Sequence, residues 1–361
     1  MLKIVTILGT RPEIIRLSLI MSKLDELAER HVIVHTGQNF TPALSDIFFH
    51  EMKLRAPDYM LHHTSHTLGN QLSTMFKEVE TILLREMPDK VLLLGDTNSA
   101  LCAILAERMG IPVIHMEAGN RCFDLEVPEE KNRRVIDAIS STNMPYTPQS
   151  KQNLLREGIP SHKIVVSGNP IYEVLEHYRE RIEASRIMQT LGVETGRYFL
   201  VTTHRAENVD NPLHLQAILH ALNEVAAWSG LRVLCSIHPR TRSRITQNPG
   251  MGMHPLVEFY EPFGFFDFVL LEKHALCVIT DSGTVQEECC LFHVPTVTVR
   301  NSTERPETVD CGSNVVTGLE SDRIVSAVKL MSQLPRDWSC PEGYLDRDVS
   351  GRVLKFVLGG K

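Results

Sequence analysis

Residues 90–117, KVLLLGDTNSALCAILAERMGIPVIHME, decide the fold. Residues 90–94 form a short apolar run with no polar alternation, so the strand they predict is buried on both faces. Gly95-Asp96-Thr97-Asn98 is a turn, 98–108 has helical periodicity, and 112–115 is a second strand of the same kind. Strand, helix and strand at this spacing make one crossover unit of a parallel sheet.

The unit recurs along the chain. Strand candidates at 4–8, 32–35, 90–94, 112–115, 143–146 and 164–167 occupy the first half. Those at 198–202, 232–237, 256–260, 277–280, 296–299 and 314–316 occupy the second. Helical patterns lie between them, as at 78–85 and 212–228. This predicts an α/β protein of two Rossmann-like doubly wound domains, and 361 residues is a suitable length for two. Gly168-Asn169-Pro170 marks the boundary, giving domains at 1–170 and 171–349, with a charged helical stretch at 173–187 just past it. In such folds a ligand binds outside the carboxyl ends of the strands.

Hydrophobic residues make up 43% and charged residues 22%, a soluble globular balance. No apolar run reaches the roughly 18 residues of a membrane span. The N-terminal run lacks a basic flank and a cleavage site, so it reads as a strand in a cytoplasmic protein. A net charge of −7 argues against a nucleic-acid partner. The eight cysteines show no CxxC and no zinc spacing, so they read as buried free thiols in a reducing compartment. His62, His63 and His66 read as an exposed loop, because no carboxylate sits at ligand spacing. GxGxxG, the P-loop, HExxH and GxSxG are all missing. A dehydrogenase, an NTPase, a zinc protease and a serine hydrolase are thereby disfavoured, and neither metal nor cofactor is expected.

Several motifs follow strand candidates. Gly9-Thr10-Arg11-Pro12-Glu13 combines a tight turn, a fixed cation and a proline suited to a helix start, which makes an anion-binding corner. Asp96 ends one strand and caps the next helix or faces a cleft; Glu117, in His115-Met116-Glu117-Ala118-Gly119, ends the neighbouring one. Pro128-Glu129-Glu130-Lys131-Asn132-Arg133 starts a helix that can add a third carboxylate. Three converging carboxylates suit proton transfer on two faces of a carbon. In the second half, Thr203-His204-Arg205-Ala206-Glu207-Asn208, Ser236-Ile237-His238-Pro239-Arg240, Asp281-Ser282-Gly283 through Glu288, and Thr303-Glu304-Arg305-Pro306-Glu307 all follow strands. Asp281 reads as the cap of a helix whose first N–H groups cradle a pyrophosphate, and Glu288 as a ribose acceptor. Together these predict a nucleoside diphosphate site.

GTRPE, GDT, EAG, PEE-x-NR, HR-x-EN, DSG-x-x-QEE and TERPE occur in this order. Over essentially its whole length the chain closely resembles the non-hydrolysing UDP-N-acetylglucosamine 2-epimerases. The resemblance implies a glycosyltransferase-B-like arrangement of the two domains, a UDP-sugar substrate and a homodimer. It also implies a C-terminal helix within 350–361 that crosses back to the first domain. It places an acid/base group at Asp96, Glu117 and Glu129, with His204 nearby. Substrate contacts correspond to Arg11, His204, Ser282, Gly283, Glu288 and Arg305, and the same motifs add Arg133, Arg205 and His238.

The chemistry fits these residues. The C2 hydrogen of a UDP-hexosamine is not acidic, so UDP departs first and leaves a glycal. A proton then returns to the opposite face of C2 and UDP re-adds. Departures from the commoner pattern, Asn120-Arg121-Cys122-Phe123-Asp124, His35-Thr36-Gly37-Gln38-Asn39 and Thr284 after Gly283, resemble the branch that forms UDP-N-acetyl-L-fucosamine for capsule or O-antigen. A transferase of the same architecture, a hydrolysing epimerase and a non-catalytic nucleotide-sugar sensor are the alternatives. The negative net charge does not oppose an anionic ligand, because Arg11, His204, Arg205, Arg240 and Arg305 all lie at strand ends.

Overall fold

The computed structural model describes residues 2–38, 42–61, 67–237, 239–246 and 252–359. The chain divides into two compact units, Met1–His177 with Glu342–Lys361, and Tyr178–Pro341.

Unit 1 holds a parallel sheet of β1 (Lys3–Leu8), β2 (Arg30–His35), β3 (Tyr59–Met60), β4 (Lys90–Leu94), β5 (Val113–Met116) and β6 (Thr142–Met144), in the order β3-β2-β1-β4-β5-β6. Unit 2 repeats the pattern with β7 (Tyr198–Thr203), β8 (Arg232–Ile237), β9 (Val257–Tyr260), β10 (Cys277–Thr280), β11 (Thr296–Thr298) and β12 (Asn314–Val316), in the order β12-β11-β10-β7-β8-β9. Both sheets are doubly wound. The continuous apolar runs have their cause here. Phe199, Val201, Val233 and Cys235 feed one core of unit 2, while the alternate residues Tyr198, Leu200 and Leu234 feed another on the opposite face.

In each sheet the winding reverses at one place. The chain runs from β1 outward to β3, then returns to β4 beside β1. In unit 2 it runs from β7 outward to β9, then returns to β10 beside β7. These reversals open crevices at the carboxyl ends of the strands. GTRPE and GDT flank the first, and HR-x-EN and DSG flank the second.

Two strand expectations change. The segment 164–167 forms no strand among the described residues. It bonds along the edge of β6 through a single bridge at Ile164 and through Val165 N–H to the Asn143 carbonyl, 2.9 Å. The sixth strand is instead β3, a two-residue edge piece too short to carry a period. The charged stretch past the boundary forms three short helices, Ile171–His177, Arg179–Glu183 and Ile187–Leu191.

The division between units falls at 177/178 and 341/342, where the sequence suggests 170/171 and 349/350. The Ile171–His177 helix packs on the Arg11–Leu27 helix of unit 1. Its Glu173 accepts from Ser350 N–H at 2.8 Å, and Lys23 Nζ donates to Ser350 Oγ at 2.7 Å. The returning chain joins earlier than 350 because Asn169 N–H donates to the Gly343 carbonyl and Tyr344 is fully buried. The Val349–Gly359 helix then lies on the Arg11–Leu27 helix. Among the described residues no helix is long and apolar enough to cross a membrane.

Candidate active site

The crevice of unit 1 is drawn tight by Gly9. A Cβ there would stand 2.2 Å from Thr36 Oγ1 and 2.3 Å from Ser99 Oγ, so no other residue fits. Thr10 then opens the Arg11–Leu27 helix, with Pro12 in its first turn. Glu13 reaches back and accepts from the Gly9 and Thr10 N–H groups at 2.9 and 2.7 Å. Its other oxygen accepts from Thr97 Oγ1 at 3.0 Å, which ties GTRPE to GDT. Burial pushes the Glu13 carboxyl up to about 7, although these hydrogen bonds oppose the rise. The Arg11 guanidinium lies over the Phe48 ring, 5.5 Å from its centroid.

Asp96 and Glu117 meet at one cation. Arg133, on the Pro128–Ile139 helix, donates through Nη2 to Asp96 Oδ2 and to Glu117 Oε1, the latter at 3.0 Å. Arg16 bonds the other Glu117 oxygen from the Arg11–Leu27 helix. Both arginines are buried, and so is Glu117, whereas the Asp96 side chain keeps 17% exposure. Asp96 does not cap a helix: the following turn, Asn98–Leu101, starts from Thr97. Glu117 sits at φ 63°, a strained value for a residue with a Cβ, and such strain collects at functional sites.

The loop carrying Glu117 is fixed from behind by Asp137. This buried carboxylate bonds His115 Nδ1 at 2.8 Å, Gly119 N–H at 3.1 Å and Arg121 Nη2 at 2.7 Å. Burial alone would raise the Asp137 carboxyl, but His115 and Arg121 outweigh it and hold it below the usual carboxylate range. The other His115 nitrogen meets the Gly95 carbonyl at 2.7 Å, so the loops after β4 and β5 share one brace.

Glu130 is turned away. Its oxygens accept from Cys122 N–H and Arg134 Nε, both at 2.9 Å. Glu129 lies four residues before Arg133 and so shares its helix face. Asn132, on the same helix, donates to the Asp96 carbonyl at 3.0 Å.

In unit 2 the hub is Asp281, which is fully buried after β10. It does not cap the helix, because Ser282 is the N-cap of Gly283–Phe292. Its carboxylate instead gathers the loop after β7, accepting from the N–H groups of His204 and Arg205 and from Asn208 Nδ2, each at 3.0 Å. His204 Nδ1 lies 3.2 Å from Asp281 Oδ1, with the ring half exposed. Arg205 Nη2 and Arg300 Nη1 both bond Glu304, at 3.3 and 2.7 Å. A Cβ on Gly283 would stand 2.6 Å from Glu304 Oε1, so a side chain here would push Glu304 from its place. Arg305 Nε pairs with Glu287 Oε1 at 2.5 Å, and Glu288 beside it is buried.

His238 lies outside the described residues, as do His62, His63 and His66. The cysteines are free, five buried and three half-buried. Among the described residues no three His, Cys, Asp or Glu side chains are arranged to hold a metal ion.

Sequence reasoning misses Glu13, Arg16 and Asp137 as site builders. Glu13 carries a usable signal, Thr10-x-x-Glu13 at a helix start. Arg16 carries another, a charge inside the apolar run Ile14-Ile15-Arg16-Leu17. Asp137 carries none.

The sequence model for UDP-N-acetylglucosamine 2-epimerase matches residues 22–358. A UDP-N-acetylglucosamine 2-epimerase of Methanocaldococcus jannaschii is 41% identical over the whole of both chains. A UDP-2,3-diacetamido-2,3-dideoxy-D-glucuronate 2-epimerase of Pseudomonas aeruginosa is 36% identical, covering 91% of this chain and 92% of its own. The crystal structure of the M. jannaschii UDP-GlcNAc 2-epimerase in complex with UDP-GlcNAc and UDP superposes with a TM-score of 0.93 at 39% identity. It covers 98% of this chain and 99% of that one. On the match across both units, the chain belongs to the UDP-N-acetylglucosamine 2-epimerase family.

Proposed function

We propose that the chain inverts C2 of a UDP-N-acetylhexosamine, with UDP-GlcNAc and its manno epimer as the reference pair, by releasing UDP within the site and adding it back. The observation that carries this reading is the Asp96–Arg133–Glu117 cluster at the ends of neighbouring strands. Two carboxylates gathered on one arginine can serve a single carbon from two sides.

The C1–O bond to the diphosphate breaks, C1 gains positive character and a carboxylate takes the C2 proton, leaving a 1,2-glycal. A second group returns a proton to the opposite face of C2, and the diphosphate oxygen re-forms its bond to C1. Asp96, Glu117 and Glu129 are the acid/base set, and Glu129 is preferred to Glu130 because it shares the helix face of Arg133, the cation that gathers Asp96 and Glu117. His204, Arg205, Ser282 and Gly283 are assigned to the diphosphate. The first N–H groups of the Gly283–Phe292 helix and its dipole favour the charge that grows on the leaving group. Arg11, Arg133, His238 and Arg305 complete the binding set, and Glu288 is assigned to the ribose. No net hydrolysis occurs while UDP is retained.

A homodimer in the cytoplasm, making a precursor for capsule or O-antigen, is part of the same reading. A 6-deoxy hexosamine substrate is the second candidate. Phe123 supports it: an exposed aromatic side chain, two residues past Arg121, would suit a C6 methyl group in place of a hydroxyl. Incubation with UDP-GlcNAc and with 6-deoxy analogues in D2O, followed by NMR, tests the proposal. Deuterium at C2 of both epimers is expected with the true substrate. No C2 exchange with any of them refutes it.

A further inference from the structure

Unit 2 carries a thiol cluster that the proposed chemistry leaves unused. Cys290 lies near the end of the Gly283–Phe292 helix, and Cys311 is the C-cap of the five-residue Pro306–Asp310 helix. Their sulfurs are 3.7 Å apart. Cys340 Sγ lies 3.7 Å from the Cys290 carbonyl. Cys290 is buried, but Cys311 is half-buried and within reach of small solutes. Cys311 Sγ also lies 3.4 Å from Ser313 Oγ and from the Thr308 carbonyl. The facing Cys290 thiol and the Ser313 hydroxyl hold the Cys311 thiol below its ordinary value against the effect of burial. Burial raises Cys102, Cys235, Cys277 and Cys289, and Cys290 is raised too, first by its hydrogen bond with Cys311, so Cys311 is the thiol that reacts first.

We propose that Cys311 is a peroxide-reactive thiol that closes a reversible disulfide with Cys290, and that this bond weakens nucleoside diphosphate binding by unit 2. The second clause rests on reading unit 2 as the UDP site. The Cys311 thiolate attacks one oxygen of hydrogen peroxide, the O–O bond breaks, and hydroxide leaves to take up the thiol proton as water. The resulting sulfenic acid is attacked by the Cys290 sulfur. The S–O bond breaks, a second water leaves with the Cys290 proton, and two thiols have lost two electrons to one peroxide. A dithiol reverses the change.

The short helix supplies the coupling. A disulfide bond of about 2.05 Å requires the sulfurs to approach by about 1.6 Å. Cys311 ends the helix that Arg305 begins, and Arg305 is tied to Glu287 on the helix that also carries Cys290. Closure at one end therefore pulls on a buried ion pair at the other, beside Glu288.

Full-length protein is treated with hydrogen peroxide and mapped by mass spectrometry of a non-reducing digest. UDP binding is measured by calorimetry on reduced, oxidised and re-reduced samples. A cross-link between the Cys290 and Cys311 peptides is expected, with affinity for UDP falling at least about 5-fold and returning on treatment with dithiothreitol. Cys311→Ser should lose the response and Cys340→Ser should keep it. A cross-link elsewhere, none at all, or an unchanged affinity in the cross-linked sample overturns the proposal. Should Cys311→Ser fold poorly, the wild-type map and its reversal decide alone. Failure of the reduced protein to bind UDP would refute the nucleotide-site reading and with it the second clause, while the map still decides the disulfide.

Discussion

Replacing Glu13 by glutamine should make the protein more stable at pH 8 and leave it nearly unchanged at pH 4. Glu13 is buried with its carboxyl raised from 4.5 to about 7. Between those values the folded chain keeps a proton that the unfolded chain has released. Stability is therefore fully present below pH 4.5, falls as pH rises, and levels off above 7. A shift of this size corresponds to about 3 kcal/mol, at roughly 1.36 kcal/mol per unit. Glutamine does not titrate and fits the same bonds. Its oxygen can accept from the Gly9 and Thr10 N–H groups, and its amide can donate to Thr97 Oγ1. Urea unfolding of wild type and Glu13→Gln, followed by circular dichroism from pH 4 to 8, gives the difference directly. A difference growing from near zero to about 3 kcal/mol is expected in favour of the variant. A difference that stays constant with pH would refute the claim that Glu13 titrates near neutrality.

Other predictions concern the two crevices. Asp96→Asn and Glu117→Gln should each lose at least about 100-fold in kcat while still binding UDP, measured by steady-state kinetics and calorimetry. Arg133→Met removes the cation that Asp96 and Glu117 share; it should cost about 3–5 kcal/mol in urea unfolding, as loss of one member of a buried ion pair does. Gly283→Ala should displace Glu304 and the arginines it holds, weakening UDP binding by about 1–3 kcal/mol with the circular dichroism spectrum preserved.

The sheets were legible because their strands are buried on both faces, and continuous apolar runs such as Lys90–Leu94 announce that burial. All six strands of unit 2 lie where those runs place them, within a residue or so at each end. Tyr59–Met60 was not legible, because a two-residue edge strand has no pattern. The motif loops were legible as loops that follow strands, and the reversal of strand order explains why GTRPE with GDT, and HR-x-EN with DSG, flank the two crevices. What stayed hidden was charge pairing over long separations. Arg16 meets Glu117 across 101 positions, and only the fold brings them together. Asp281 was misread for a related reason. An aspartate before a helix resembles a cap, but here the neighbouring β7 loop competes for its oxygens and Ser282 takes the cap.

Epimerisation by this route requires the bond from C1 to the diphosphate to break and re-form inside the site. UDP-GlcNAc labelled with 18O in the oxygen that bridges C1 and the β-phosphate tests it directly. The label is expected to spread to the non-bridging β-phosphate positions as the manno epimer accumulates, with deuterium entering C2 in D2O. Epimerisation with the label still wholly in the bridge would contradict it.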